Sequence, residues 1–235
     1  MRIMKKLITI LCFIAGMQQR SVAQEHPTFK PLRYDEDYKA DSGSAGWYEK
    51  AKYQPLNARG NVYLSLGGEA RLQYFYVNND GFGDEPKDND GYTLSRFLLH
   101  TDLHAGKHFR AFVQVQSSMA NGKTSTSPVD ENPLDLHQAF VDYNGALTGT
   151  TKLMIRAGRQ ELSYGSQRLV SVRDGPNNRQ SFDALKASLL HKRYKLDVFY
   201  SNYVAAKKGI FDDGWNKNAR FWGGYLTLNA LPLLQ

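Results

Sequence analysis

The sequence has only one cysteine, Cys12, and it lies in a segment that has the features of a secretory signal peptide. Residues 1–24 combine three early basic residues, an uncharged apolar run over 7–16, and small residues close to Gln24. A lipid anchor on Cys12 is disfavoured, because Leu11 stands where such a site needs a small residue. The mature chain therefore has no cysteine, and disulfide bonds are excluded although the protein is exported.

Long apolar runs and nucleotide-binding motifs are also missing. The run over 7–16 is about half of the roughly 20 residues that a membrane-spanning helix needs, so any membrane insertion must use strands. Loss of the four basic residues in the signal peptide lowers the formal net charge from +7 to +3, and no run of Lys or Arg points to a nucleic-acid partner. The glycines match neither a phosphate-binding loop nor a dinucleotide fingerprint, so no cofactor is expected.

What the sequence has instead is a two-residue alternation of polar and apolar side chains. Between Val62 and Tyr76 the even positions are apolar or small, whereas odd positions carry Glu69, Arg71 and Gln73. Side chains alternate between the two faces of a sheet, so such a strand has one face without charge. A charge-free face about ten residues long, with aromatic residues near its ends, is what a lipid-facing barrel strand requires.

The same pattern predicts eight strands and an alternation of long and short connections. The strands are predicted at 62–77, 92–105, 108–119, 135–143, 152–160, 181–190, 195–203 and 219–228. Long polar connections are predicted at 78–91, 120–134, 161–180 and 204–218, with short ones at 106–107, 144–151 and 191–194. This alternation is typical of outer-membrane barrels, which have short periplasmic turns and long external loops. The predicted fold is therefore all-β, an antiparallel up-and-down outer-membrane β-barrel.

The predicted organisation has three parts. Residues 1–24 are the signal peptide, residues 25–60 an irregular periplasmic arm with a short helix around 47–52, and residues 61–235 the barrel. A secreted antiparallel sandwich is the alternative, because its strands also alternate. It is disfavoured, since a sandwich has no reason to alternate long and short connections.

In the predicted strands, the positions that alternate with the apolar ones are rich in basic residues. The fourth strand is the least regular: it is expected to be short, with His137 near the outer face. The inner face is predicted to carry seven basic residues (Arg71, Arg96, Arg110, Lys152, Arg156, Lys186, Lys195) and four acidic ones (Glu69, Asp102, Asp142, Asp197).

Several strings resemble the alginate export family of outer-membrane β-barrels over about residues 62–228. Residues 155–169 read Ile-Arg-Ala-Gly-Arg-Gln-Glu-Leu-Ser-Tyr-Gly-Ser-Gln-Arg-Leu, and similar likeness occurs at 94–99, 136–142 and 178–183. The resemblance implies a barrel of about eighteen strands that passes an anionic polysaccharide outward through a basic lumen, whereas eight strands alone fill their own interior. Because only about eight strands are visible and no terminal aromatic strand follows, the chain is expected to be an N-terminal portion of a larger barrel.

The predicted function is an outer-membrane channel of a Gram-negative bacterium for passive export or diffusion of an anionic polysaccharide or small anions. Part of the loop 161–180 is expected to fold inward and present Arg168 and Arg179 to the solute; an external loop with solvated charges is the equal alternative. For the strand residues, pairing with carboxylates on neighbouring strands is the alternative to solute binding. The predicted substrate-binding residues are Arg71, Arg96, Arg110, Arg156, Arg168, Arg173, Arg179 and Lys186.

Other functions have weaker support. A barrel enzyme acting on lipid or sugar stays open, but no Gly-x-Ser-x-Gly string marks a nucleophile, and no catalytic residue is predicted. No metal site is predicted, because His100 and His104 lie about 13 Å apart along a strand. The acidic loop 80–90 lacks the order of a known calcium loop. The expected partners are outer-membrane lipid and the barrel-assembly machinery, and the oligomeric state is left open.

Overall fold

The computed structural model describes residues 29–39, 46–84 and 90–229, and its main feature is one antiparallel sheet. The strands are β1 (Gln54–Pro55), β2 (Val62–Phe75), β3 (Tyr92–Ala105), β4 (Phe109–Asn121), β5 (Asn132–Ala146), β6 (Thr151–Gln160), β7 (Phe182–His191), β8 (Tyr194–Ala205) and β9 (Gly214–Leu228). Each strand pairs antiparallel with the next one in chain order. The predicted all-β, up-and-down architecture is confirmed. In the described part of the chain β1 and β9 do not pair with each other, so the sheet is open.

Helical structure is scarce. It comprises α1 (Trp47–Lys52), where a short helix was expected, and single turns of 3-10 helix at Arg33–Asp35 and Asp80–Gly83. Across the described ranges no helix is both long enough and apolar enough to cross a membrane.

The chain divides into two compact units, residues 1–37 and residues 38–235. In the described part of the first unit, the guanidinium of Arg33 pairs with the Glu36 carboxylate at 2.9 Å. The predicted signal peptide, 1–24, lies outside the described residues. The sheet belongs entirely to the second unit.

The connections alternate in length, as predicted. Those after β3, β5 and β7 are short, and those after β2, β4, β6 and β8 are longer. In an up-and-down sheet this places all the short turns at one end and all the longer loops at the other. We call these the turn end and the loop end. The longest connection is the β6–β7 loop, residues 161–181.

The two faces of the sheet are inverted relative to a water-soluble protein. Along β3, Arg96, His100 and Asp102 are 1%, 3% and 5% exposed, whereas Phe97 and Leu99 are 48% and 62% exposed. We call the face that bears Arg96 the polar face and the other the apolar face. Neighbouring strands expose further residues of the apolar face, namely Leu72, Val113, Val141, Ile155, Leu185, Val198 and Tyr200.

β5 departs from the predicted pattern at His137. This strand was expected to be short, with His137 near the apolar face, and both expectations are wrong: β5 has 15 residues and His137 is buried. Gln138 pairs with Gln114 and Leu136 with Val115, which leaves His137 without a partner in the ladder. This β-bulge shifts the alternation by one residue, so His137 and Gln138 are both buried.

Candidate functional site

Ion pairs between neighbouring strands line the polar face. On β4, Arg110 donates from Nε and Nη2 to the two carboxylate oxygens of Asp102 at 2.7 and 2.6 Å. On β6, Arg156 binds Asp142 in the same way, with both contacts at 2.7 Å, and lies 3.8 Å from the centroid of the Phe140 ring. This planar two-bond geometry is the strongest form of the Arg–carboxylate contact. These two arginines therefore pair with carboxylates on neighbouring strands, which was the alternative to solute binding.

The tip of the β6–β7 loop is fixed to the polar face of β2 and β3. The backbone oxygens of Asp174 and Pro176 each accept a hydrogen bond from Arg71 at 2.7 Å. Arg96 Nη2 donates to the Asp174 carboxylate at 2.8 Å and to Glu69 at 2.5 Å. Part of the loop therefore folds over the polar face, as expected from the sequence.

Asn177 fixes the same stretch of loop to β3, β4 and the β4–β5 loop. Its side chain is buried, and Nδ2 lies within 3.1 Å of the backbone oxygens of Ser95, Met119 and Asp130. The Ser118 hydroxyl donates to the backbone oxygen of Asn177 at 3.1 Å. A buried amide needs hydrogen-bond partners, and this one finds them on three separate segments. It therefore holds these segments together at one point.

Apolar contacts hold the first half of the loop. Leu162 is buried with Phe182 of β7 and Phe199 of β8. The Tyr164 ring stacks on Phe199 with a centroid distance of 5.3 Å. Burial, and then the charge of Asp197, raise the pKa of the Tyr164 hydroxyl above its ordinary value, so this hydroxyl stays protonated. The loop is thus anchored by an apolar contact near its start and by a polar one near its end.

Glu161 joins the loop to β5 through a buried ion pair. Arg179 donates from Nε and Nη2 to its two oxygens at 2.7 and 3.0 Å, and His137 Nε2 lies 2.8 Å from Oε1. The backbone N–H of Glu161 donates to Gln138 Oε1 at 3.1 Å. The structure therefore differs from the expectation that Arg179 faces the solute. Its guanidinium is buried, and the Glu161 carboxylate supplies the partner that a charge out of water needs.

The alginate export family model matches residues 62–231, more than half of the chain. The chain belongs to the alginate export family. No curated protein and no solved structure matches the chain. The match begins at the first residue of β2 and takes in every strand through β9. The family assignment therefore covers β2 to β9, the ion pairs between these strands and the β6–β7 loop.

In this alginate export family member, residues 155–169 form most of β6 and the first part of the β6–β7 loop. Gly158 has a φ of +128°, a conformation that a side chain disfavours. The amide of Gln160 donates to a backbone oxygen of β7 at 3.1 Å. Glu161 and Leu162 supply the ion pair and the apolar anchor described above. The string that resembles the family thus contains the residues that turn the chain back over the polar face.

Arg168 and Arg173 differ from the other predicted substrate-binding residues because both are exposed. They line an open groove of about 440 Å³ on the β6–β7 loop, and Phe182 and Phe221 contribute to its wall. A guanidinium can hold a carboxylate through two parallel hydrogen bonds. The groove can therefore accept a negatively charged solute beside aromatic rings.

The other six predicted substrate-binding residues make contacts within the protein, and their role in solute binding stays a prediction. Five are the arginines already described, and the sixth lies on β7, buried and opposite Arg156 in the strand register. The six are Arg71, Arg96, Arg110, Arg156, Arg179 and Lys186.

α1 covers the polar face toward the turn end, which the sequence analysis did not anticipate. The ammonium of Lys52 is buried over the rings of Tyr38 and Tyr48, at 4.6 and 5.5 Å from their centroids. A Cβ on Gly67 of β2 would meet Lys52 Nζ at 2.6 Å and also His100 Nε2. The glycine therefore makes room for both groups on the polar face.

Asp130 supports the β4–β5 loop, which contacts Asn177. Its carboxylate binds Lys123 Nζ at 2.6 Å and accepts from the backbone N–H and hydroxyl of Ser127 at 3.0 and 2.9 Å. Burial alone would raise the pKa of Asp130, but these bonds outweigh it and hold the pKa below the ordinary 3.8. The carboxylate therefore stabilises the fold above about pH 4, and this contribution is lost as the pH falls through the lowered pKa.

We expect Asp130→Asn to lower the free energy of unfolding at neutral pH by about 1 kcal/mol, because bonds to a charged group are replaced by weaker ones. It should also flatten the loss of stability on acidification. Urea unfolding in detergent micelles from neutral to acidic pH measures both effects. Asp90→Asn removes an exposed carboxylate from the β2–β3 loop and is the control. An equal loss in the two variants would contradict a specific role of Asp130.

Proposed function

We propose that the chain forms part of the wall of an outer-membrane channel. This channel passes an anionic polysaccharide or small anionic solutes by diffusion. The polar face lines the aqueous path and the apolar face contacts outer-membrane lipid. Membership of the alginate export family supports polysaccharide export as the general role. Assembly of such a wall in a Gram-negative outer membrane would require the barrel-assembly machinery.

The inverted burial of the sheet is the observation that carries this proposal. Apolar area exposed to water costs about 25 cal/mol per Å², and the apolar face presents large side chains on strand after strand. Charged groups on the polar face such as Arg110 and Arg156 are paired with carboxylates, which offsets part of the cost of burying them. Such a sheet is suited to hydrocarbon on one side and to water and solute on the other.

The alternative of a secreted sandwich does not account for the exposed apolar face. A sandwich packs the apolar face of one sheet against a second sheet. All nine strands in the described part of the chain belong to a single sheet, and the apolar face is left uncovered.

The β6–β7 loop supports a selective constriction. It lies on the polar face, so it would narrow the aqueous path at the loop end. Its exposed arginines, Arg168 and Arg173, would raise the local concentration of anions and repel cations. In this arrangement Arg71, Arg96 and Arg179 hold the loop in place. The exposed Arg168 and Arg173 meet the solute.

Planar bilayer recordings test the channel and its selectivity together. We expect the mature protein, purified in detergent, to conduct anions better than cations without hydrolysing lipid or sugar. The double variant Arg168→Gln/Arg173→Gln should lower the anion-to-cation permeability ratio about two- to threefold, because two positive charges leave the path. Reversal potentials in a salt gradient measure the ratio.

The control for this experiment is Lys192→Gln/Arg193→Gln, which removes the same charge from the exposed β7–β8 turn at the opposite end of the sheet. It should change the ratio less. Equal effects of the two double variants would remove the loop arginines from the conduction path. A mature protein that stays monodisperse and folded without detergent, or that does not conduct, would contradict the channel itself.

A further inference from the structure

Three carboxylates converge at the loop end, where β5 begins and the β8–β9 loop returns to the sheet. One oxygen from each of Asp135, Asp212 and Asp213 lies within 4.8 Å of the other two. Asp135 is 3% exposed, and its Oδ2 accepts the backbone N–H groups of Asp212 and Asp213 at 2.9 and 3.0 Å. The fold therefore brings two further carboxylates onto a buried one despite their mutual repulsion.

Backbone contacts hold the β8–β9 loop in this arrangement. The N–H of Phe211 donates to the oxygen of Leu134 at 3.0 Å, and Leu134 forms an isolated parallel bridge with Ile210. The N–H of Lys207 donates to Asp213 Oδ1 at 2.7 Å. The cluster is thus part of a folded loop rather than a chance approach of surface side chains.

Two side-chain oxygens at the cluster have no hydrogen-bond donor. One is Asp212 Oδ1, and the other is Oδ1 of Asn132, whose side chain is 1% exposed. The amide of Asn132 is directed at the cluster, with Nδ2 at 2.8 Å from Asp213 Oδ2. Buried oxygens normally have a donor, and the alternative partner for oxygens grouped in this way is a cation.

The nearby positive charges do not neutralise the cluster. Arg159 Nη1 is 3.8 Å from Asp135, but the same guanidinium pairs with Asp183 at 2.9 Å. The Lys207 ammonium contacts the backbone oxygen of Asp212 at 2.7 Å. If Arg159 is balanced by Asp183, three carboxylates and one ammonium leave two negative charges, which matches a divalent cation.

We propose that Asp135, Asp212 and Asp213, with Oδ1 of Asn132, bind a calcium ion. Ca²⁺ takes oxygen ligands at about 2.3–2.6 Å, so ligands on opposite sides of the ion are about 4.6–5.2 Å apart, whereas Mg²⁺ requires about 4.0–4.2 Å. The three carboxylate oxygens lie within 4.8 Å of one another, which Ca–O distances allow, and the flexible coordination of Ca²⁺ suits an irregular ligand set better than the strict octahedron of Mg²⁺. Rotation of the Asn132 amide about its last torsion brings its oxygen, in place of its nitrogen, to the cluster.

This site would join the β8–β9 loop to β5 and is independent of the proposed transport. The sequence analysis expected no metal site and did not consider these aspartates; Asp135 and Asp212 are 77 residues apart and form no local motif. In outer-membrane barrels the long loops lie outside the cell, where a modest affinity typical of extracellular calcium modules would suffice.

Calorimetric titration of the mature protein in detergent with calcium chloride, after treatment with a chelator, tests the site. We expect one ion per chain with a Kd of about 0.1–1 mM and a higher unfolding temperature with calcium. Asp212→Asn should weaken binding at least about tenfold, because it removes a charged ligand while the backbone bonds to Asp135 remain. Asp84→Asn removes an exposed carboxylate from the β2–β3 loop and should leave the affinity unchanged.

Asn132→Asp gives a second readout that a purely structural role would not move. A fourth carboxylate should tighten calcium binding and lower the unfolding temperature in chelator, so that the calcium-induced shift in that temperature increases. The absence of saturable binding to the wild-type chain at about 10 mM calcium would overturn the proposal. It would also be overturned if Asp84→Asn weakened binding and Asp212→Asn did not.

Discussion

Replacing Glu161 by alanine should lower the free energy of unfolding by about 3–5 kcal/mol. The substitution leaves the Arg179 guanidinium buried without the carboxylate that holds it at 2.7 and 3.0 Å, and breaking a buried pair costs this much. His137 loses the same partner. Urea unfolding in detergent micelles, followed by tryptophan fluorescence, measures the loss.

A double-variant cycle separates the ion pair from other effects of the substitution. Glu161→Ala/Arg179→Ala removes both charges, so it should be more stable than the sum of the single losses predicts, by about 2 kcal/mol. Arg168→Ala removes an exposed guanidinium from the same loop and should cost no more than about 0.5 kcal/mol. Strict additivity of Glu161→Ala and Arg179→Ala would show that the pair is not the cause.

The loss of Glu161 also has a consequence for the proposed channel. The β6–β7 loop is held at this residue, at Asn177 and at Arg71, so loosening one of these contacts should make the loop move away from the polar face more often. Cleavage by trypsin after Arg168 or Arg173 should be faster in Glu161→Ala than in the wild-type protein. The mean bilayer conductance should increase, because the constriction is open for a larger fraction of the time.

Replacing Gly158 by alanine is the second change with a large expected effect. Gly158 has a φ of +128°, and a Cβ there would meet the backbone oxygen of Ala139 and lie 2.8 Å from the Cα of Phe140. Both neighbours are backbone atoms of β5, so they cannot yield as the end of a long side chain could. We expect a loss of about 3 kcal/mol from strain and contact together, with a lower yield of folded protein.

The matched control is Gly149→Ala in the β5–β6 turn. No atom lies within 4 Å of a Cβ at Gly149, so this substitution should be close to neutral. Heat-modifiable migration in gel electrophoresis reports the folded fraction, and urea unfolding gives the free energy. If the two alanine variants were equally stable, the close approach of β5 and β6 at Gly158 would not restrict the residue there.

The contrast between β3 and β5 shows how far local pattern predicts a strand. β3 was predicted at 92–105 and has those bounds, since its alternation is regular and its flanking glycines end the pattern. β5 extends three residues beyond its predicted bounds at each end, and the bulge at His137 reverses the alternation within the strand. A period of two can be read from a sequence only where nothing is inserted into the ladder.

The basic residues of the candidate site show the same limit to what a local sequence pattern can predict. Their alternation with apolar residues placed Arg96, Arg110 and Arg156 on the polar face, where the structure has Arg96 and Arg156 buried and Arg110 half-buried. The sequence did not identify the partner of each one. Arg96 binds Asp174, 78 residues away, and Asn177 meets Ser95 across 82 residues. Contacts at such separations depend on the path of a loop. A loop sequence has no periodicity from which that path could be predicted.

The amino-acid sequence by itself determined the antiparallel order of strands, the face on which each charge lies and the family, because alternation and short strings are local properties. The tertiary structure decided which arginines are buried in ion pairs, which remain exposed in the loop groove, and where three distant aspartates meet. These outcomes follow from how the long loops fold back over the sheet. That folding depends on burial and on hydrogen bonds between segments far apart in the chain. The residue pattern of a single strand predicts neither.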